Sequence, residues 1–144
     1  MPLPTDPQAL AEACAAAMWA EDTASQGLGM ELQTVGPGTA RMAMAVRDGM
    51  VNGHGMCHGG FIFTLADSAF AFACNSRNAK CVAAGGSIAF LRPAKMGDRL
   101  LAIAEERHLA GRSGLYDVRV TDQEGQVIAE FRGQSRAIGE LFFP

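Results

Sequence analysis

The apolar positions of the chain keep three different rhythms, and each predicts a different kind of element. Between Pro7 and Ala20, Leu10, Cys14, Ala17 and Met18 recur at helical spacing among strong helix formers, with a proline at the start. This predicts a helix packing one face on the body and stopping at Ser25-Gln26-Gly27, so residues 1–25 read as a peripheral helical segment. Thr39–Val46 alternates instead, Ala40, Met42, Met44 and Val46 against Thr39, Arg41, Ala43 and Ala45. A strand is expected there and a second over 29–35, with Gly36-Pro37-Gly38 as the turn between them. After Asn78 the pattern turns to strands over 80–91, 98–108, 115–121 and 127–138. Gly111-Arg112-Ser113-Gly114 and Asp122-Gln123-Glu124-Gly125 are the turns that separate the last three. Gly85-Gly86 inside the first of these strands predicts a bulge or a close backbone approach.

The third rhythm belongs to residues 51–76. Val51-Asn52-Gly53-His54-Gly55-Met56-Cys57-His58 is a glycine-rich polar loop, and Gly59–Cys74 that follows is apolar with one charge, Asp67. Phenylalanines, Ile62 and Leu65 surround the axis with alanines between them, which predicts a helix buried on all sides. Together these elements predict an α+β fold. A long central helix is wrapped by an antiparallel sheet of about six strands, with the N-terminal helix on the outside. A second copy covers what the sheet cannot.

Composition narrows the function classes. The 144 residues suit one domain over 1–144, and 49% hydrophobic with 19% charged residues suits a soluble globular chain. A net charge of −3 argues against nucleic acid as a partner. Basic side chains are unevenly spread, two before residue 77 and ten from it onward, so the second half is the expected holder of an anionic ligand. Arg92, Lys95 and Arg99 lie within one short turn and suit a phosphate. No apolar run is long enough to span a membrane, and the first residues lack a basic leader. Four cysteines without C-x-x-C spacing read as free thiols, and a cytoplasmic location is expected.

Asp67 is costly in a buried helix, because an ionised carboxylate there must be paired or must take up a proton. At the start of the same helix, Gly59 and Gly60 let another group approach the backbone closely. The first N–H groups of a helix have no internal acceptor and sit at the positive end of its dipole. Such N–H groups suit the oxygen of a polarised carbonyl and the oxyanion it becomes. Eight residues of helix separate Gly59 from Asp67, roughly 12 Å along the axis. One carbonyl cannot meet both within one chain. If both serve one site, Asp67 comes from a second copy lying antiparallel, which implies a symmetric dimer with two shared sites.

Asn52, His58-Gly59-Gly60 with Leu65 and Asp67, Asn75, Phe90-Leu91-Arg92-Pro93 with Gly97-Asp98, and Phe131-Arg132-Gly133 together resemble the hotdog fold. More specifically, they resemble the phenylacetate-pathway acyl-CoA thioesterases of the PaaI type, over nearly all of the chain after about residue 25. The resemblance implies hydrolysis of small aryl-acyl-CoAs such as (hydroxy)phenylacetyl-CoA. Asp67 would activate water or attack the thioester, and Gly59 N–H would polarise its carbonyl, with Asn52 and His58 shaping that end. Gly60, Phe61, Phe63 and Phe70 are candidate substrate contacts, although the phenylalanines read equally well as core. In relatives a hydroxyl early in the strand after the helix positions the water; here Val82-Ala83-Ala84-Gly85-Gly86 precede the first hydroxyl, Ser87, and Gly86 and Ser87 are candidate contacts. The resemblance also implies a homotetramer built as a pair of dimers, with CoA along the interface, its phosphates on basic side chains, and no other cofactor.

Other chemistries fit less well. His54, Cys57 and His58 crowd one glycine loop without a second ligand pair, which is not a zinc spacing. Cys57 beside His58 lacks a third orienting group for a nucleophile. A β-hydroxyacyl dehydratase or hydratase would draft His58 and Asp67 for proton transfer. A non-catalytic acyl-CoA-binding module is the remaining alternative.

Overall fold

A computed structural model of the chain describes residues 3–144. Helix α1, Pro7–Glu21, starts where Asp6 accepts a hydrogen bond from Ala9 N–H at 2.9 Å and Pro7 fills a first-turn position that needs no donor. The expected stop at residues 25–27 is instead a second short helix, α2, Thr23–Gly27. Asp22 caps it, and buried Ser25 ties it to the central helix through Ser68, Oγ to Oγ 2.9 Å.

Six strands follow the expected pattern: β1 Glu31–Gly36, β2 Thr39–Ala45, β3 Ala79–Phe90, β4 Arg99–Ala110, β5 Ser113–Thr121 and β6 Val127–Leu141. They form one antiparallel sheet in the order β1-β2-β4-β5-β6-β3. Its inner face carries alternate strand residues: Met42 and Met44, Leu100 and Ala102, Tyr116, Val118 and Val120, and Ala129 and Phe131 are all buried. The bulge expected at the paired glycines is present, since the β3–β6 register shifts between Ala83 and Gly85. A Cβ on Gly86 would lie 3.1 Å from the Phe131 ring, so close approach operates there too.

The central helix α3, Gly59–Cys74, lies across this face and packs on five strands beyond β1. Leu65, Ala66, Ala69 and Phe70 are at most 1% exposed, and Phe70 stacks against Tyr116 and Phe131 with centroids 5.5 and 5.8 Å apart. The helix is not buried all round within the chain, however. Phe63, Thr64, Asp67, Ser68 and Ala71 stay half-buried along one stripe, with Gly60 exposed at its head. These small and polar residues recur at helical spacing, a faint polar face that the surrounding phenylalanines mask in the sequence.

The two sheet edges differ. Helix α1 leans on β1, where Gln8 Nε2 donates to Val35 O at 2.7 Å. Strand β3 pairs with β6 on one side only, and Val82 through Ser87 are exposed along it.

Candidate active site

The loop before α3 is built on Asn52. Its Oδ1 accepts from His54 N and Met56 N at 2.9 and 3.2 Å, and its own N–H donates to Met56 O at 2.8 Å. Cys57 N then donates to Ala94 O and His58 N to Met50 O, which pins the loop against the 94–98 turn. That turn is itself held by Asp98, which accepts from Lys95 N at 2.8 Å and Gln123 Nε2 at 3.1 Å. The Lys95 N–H bond, aided by Gln123, holds the Asp98 carboxyl below the usual carboxylate range despite burial. The Asn52 Oδ1 is occupied by the turn, while the residue faces the cavity described below.

His58 is the N-cap of α3, an unusual choice. Its Nδ1 accepts from Gly60 N–H at 2.9 Å, and its carbonyl accepts from Phe61 N–H at 3.0 Å. The donor left over is Gly59 N–H, which has no acceptor among the described residues. Gly59 lines a cavity of about 420 Å³ together with Asn52, Met56, Ile62, Phe90 and Arg92 among others. One unclaimed N–H at the positive end of a 16-residue helix is suited to an oxygen that gains negative charge.

Asp67 stands two turns further along, half-buried on the open stripe of α3. Its carboxylate has no hydrogen-bond or ion-pair partner among the described residues, and burial alone pushes its pKa upward. A carboxylate that anchored the fold would have a donor. This one lacks it. Thr64, one turn before it, bonds back to Gly60 O at 2.8 Å and does not reach for the carboxylate.

The remaining candidates separate. Arg92 lines the cavity, and Lys95 adjoins it through the isolated bridge between Met56 and Lys95. Arg99 is directed elsewhere: its guanidinium meets Glu31 on β1 at 2.8 Å, a pairing 68 residues apart that the short turn concealed. Phe70 belongs to the core, being 1% exposed, rather than to a substrate wall. Phe63 packs edge-on against Phe131 at 5.3 Å, and Phe61 against His58 at 6.1 Å. Gly86 and Ser87 lie exposed on the β3 edge. Asn75 closes the far end of α3, its amide bonded to Ala71 O and to the backbone of Cys81 at both ends. Burial pushes the Cys57 thiol up, the opposite of what a nucleophile needs.

Comparison with known proteins agrees with this geometry. Residues 54–129 match the thioesterase superfamily model. The chain is 43% identical over 123 residues to acyl-coenzyme A thioesterase PaaI of Escherichia coli, covering 85% of this chain and 88% of that one. The solved structure of the E. coli PaaI protein from the phenylacetic acid degradation operon superposes with a TM-score of 0.93 at 40% identity, covering 94% and 99% of the two chains. A Streptococcus mutans protein solved bound to acetyl-CoA matches with a TM-score of 0.75 at 28% identity, over 78% of this chain and 90% of that one. The helix wrapped by its sheet is thus the hotdog fold of a thioester hydrolase. Within that superfamily, the chain belongs to the acyl-CoA thioesterases of the PaaI type.

Proposed function

We propose that the protein hydrolyses small aryl-acyl-CoAs, phenylacetyl- and hydroxyphenylacetyl-CoA among them, to free acid and CoA in cytoplasmic aromatic catabolism. Each site is shared by two copies of the chain. The observation that carries this reading is Asp67: a half-buried carboxylate, raised by burial, with no partner among the described residues. The names of the relatives supply the acyl-CoA and the phenylacetate connection.

Gly59 N–H donates to the thioester carbonyl oxygen and takes up the charge that develops there. Asp67 of a second copy faces the carbonyl carbon from the other side of a twofold axis. It either removes a proton from water as the water attacks, or attacks the carbon itself and is released by water. In both routes the C–S bond breaks, CoA leaves as a thiolate that gains a proton, and the acid remains. Burial that raises the Asp67 pKa also makes it a better proton acceptor at neutral pH. Asn52 shapes the carbonyl end, Ser87 is the hydroxyl that β3 supplies, and Arg92 with Lys95 holds the phosphates. The chemistry calls on no metal.

The open β3 edge supports the shared site. Two copies paired along it would lay their α3 helices antiparallel, bringing each open stripe to its neighbour. A pair of such dimers is the assembly we expect. His58, which a dehydratase would need as a proton carrier, already spends Nδ1 on the helix cap. Free-thiol release from a panel of acyl-CoAs tests the reading. The highest kcat/KM should fall on aryl-acetyl substrates, and equal activity on short, long and aromatic chains would defeat that preference.

A further inference from the structure

We propose that Phe90 sets the size of acyl group the enzyme accepts, by forming the wall against which the carbonyl-bearing end of the substrate lies at Gly59. The inference rests on the thioesterase reading above and assigns a specificity residue to it.

Phe90 is the last residue of β3 and 53% exposed, although it is aromatic. Its ring lies directly on Gly59: a Cβ there would meet Cζ, Cε2 and Cε1 at 2.8, 3.2 and 3.3 Å. The ring therefore covers the residue whose N–H is the unclaimed donor of α3. It shares the cavity with Asn52 and Ile62. The other aromatic rings near α3 have duties within the chain. Phe70, Phe72 and Phe131 are buried, Phe63 packs on Phe131, and Phe61 packs on His58. Phe90 has one face on a glycine and the rest open, so a group bound at the Gly59 N–H would complete its burial.

Chemistry decides which part of the substrate that is. Around the ring the cavity lining is mostly apolar, with Met56, Ile62 and Leu91, and Asn52 and Arg92 are its polar side chains. A pantetheine arm carries two amides that want hydrogen-bond partners, and this wall offers few. An acyl group wants apolar surface. The ring fills the space that a Cβ at Gly59 would take, and so bounds the cavity beside the reacting carbon.

The test is Phe90→Ala and Phe90→Leu, assayed against phenylacetyl and decanoyl thioesters of both CoA and N-acetylcysteamine. The decanoyl-to-phenylacetyl ratio of kcat/KM should rise about tenfold in Phe90→Ala in both series, with Phe90→Leu between, because pocket volume acts on the acyl group alone. An even fall across all substrates would make Phe90 a packing residue and overturn the proposal. A change confined to the CoA series would place the ring on the pantetheine arm and also overturn it. So would loss of the dimer on size-exclusion chromatography, which would make Phe90 a subunit contact. A parent enzyme inactive on every thioester would instead bring down the function proposed above, and this assignment with it.

Discussion

The sheet ends in two edges that are finished to different degrees. Strand β1 is six residues long, its register with β2 shifts between Leu32 and Thr34, and α1 lies against it. Short length and a covering helix are usual ways of closing an edge to further pairing, whereas a bulge is common to both edges, β3 having one between Ala83 and Gly85. Strand β3 is twelve residues long, and Lys80 is its sole charged residue. At its far end Phe90, and Leu91 just beyond it, are more than half exposed. The contrast marks β3 as the edge left open in the single chain. It is also the side of Gly59, on which the Phe90 ring of β3 lies.

The sharpest way to break this comparison is to charge each edge in turn. Val82→Lys with Ala89→Lys on β3 should leave a folded monomer without measurable turnover. Gln33→Lys with Thr34→Lys on β1 should assemble and hydrolyse like the parent. Light scattering and thiol release would read both, and equal behaviour of the two variants would end the distinction. Next in size is the site itself. Asp67→Asn should keep the dimer and lose about 10²–10⁴ in kcat. Gly59→Pro keeps a first-turn backbone but removes the N–H and sets a Cβ against the Phe90 ring, so it should lose at least about 10²–10³. Equal mixing with subunit exchange should restore about a quarter of parental activity, because each mixed dimer holds one intact site. No recovery after verified exchange would confine the site to one chain.

Smaller effects concern stability. His58→Ala removes the acceptor for Gly60 N–H and should cost about 1 kcal/mol, seen as a lower Tm. The Asp67 carboxyl titrates higher in the folded chain than in the unfolded one, so the folded state binds more protons between those two pKa values. Parental stability should therefore fall as pH rises through that window. Asp67→Asn escapes the loss, so it should melt a few degrees above the parent at neutral pH and level with it once both parental states are protonated. A constant difference across pH would contradict the burial effect.

Most of the architecture could be read from the chain because its signals are local. Alternation at 39–46 and 115–121, the turn residues, and the loop-to-helix junction at residue 59 each depend on near neighbours. The strand order did not show itself, since β6 returning to lie between β5 and β3 is a matter of long-range pairing. For the same reason Arg99 seemed free for phosphate, when its partner lies far back at Glu31. Phe70 and Phe63 looked alike in sequence, and only their angle around α3 separates core from open stripe. The cap by His58 was missed because ring nitrogens are rare in that role beside Ser, Thr, Asp and Asn. The polar rhythm of Gly60, Thr64, Asp67, Ser68 and Ala71 was available to be counted.

The unfinished edge also sets a clock. Hairpins β4–β5 and β5–β6 close within one chain at a rate independent of concentration, whereas the proposed pairing along β3 waits for an encounter. In refolding, fluorescence of Trp19, packed 6.2 Å from Phe72, should recover first and activity later. The delay between them should lengthen as the protein is diluted.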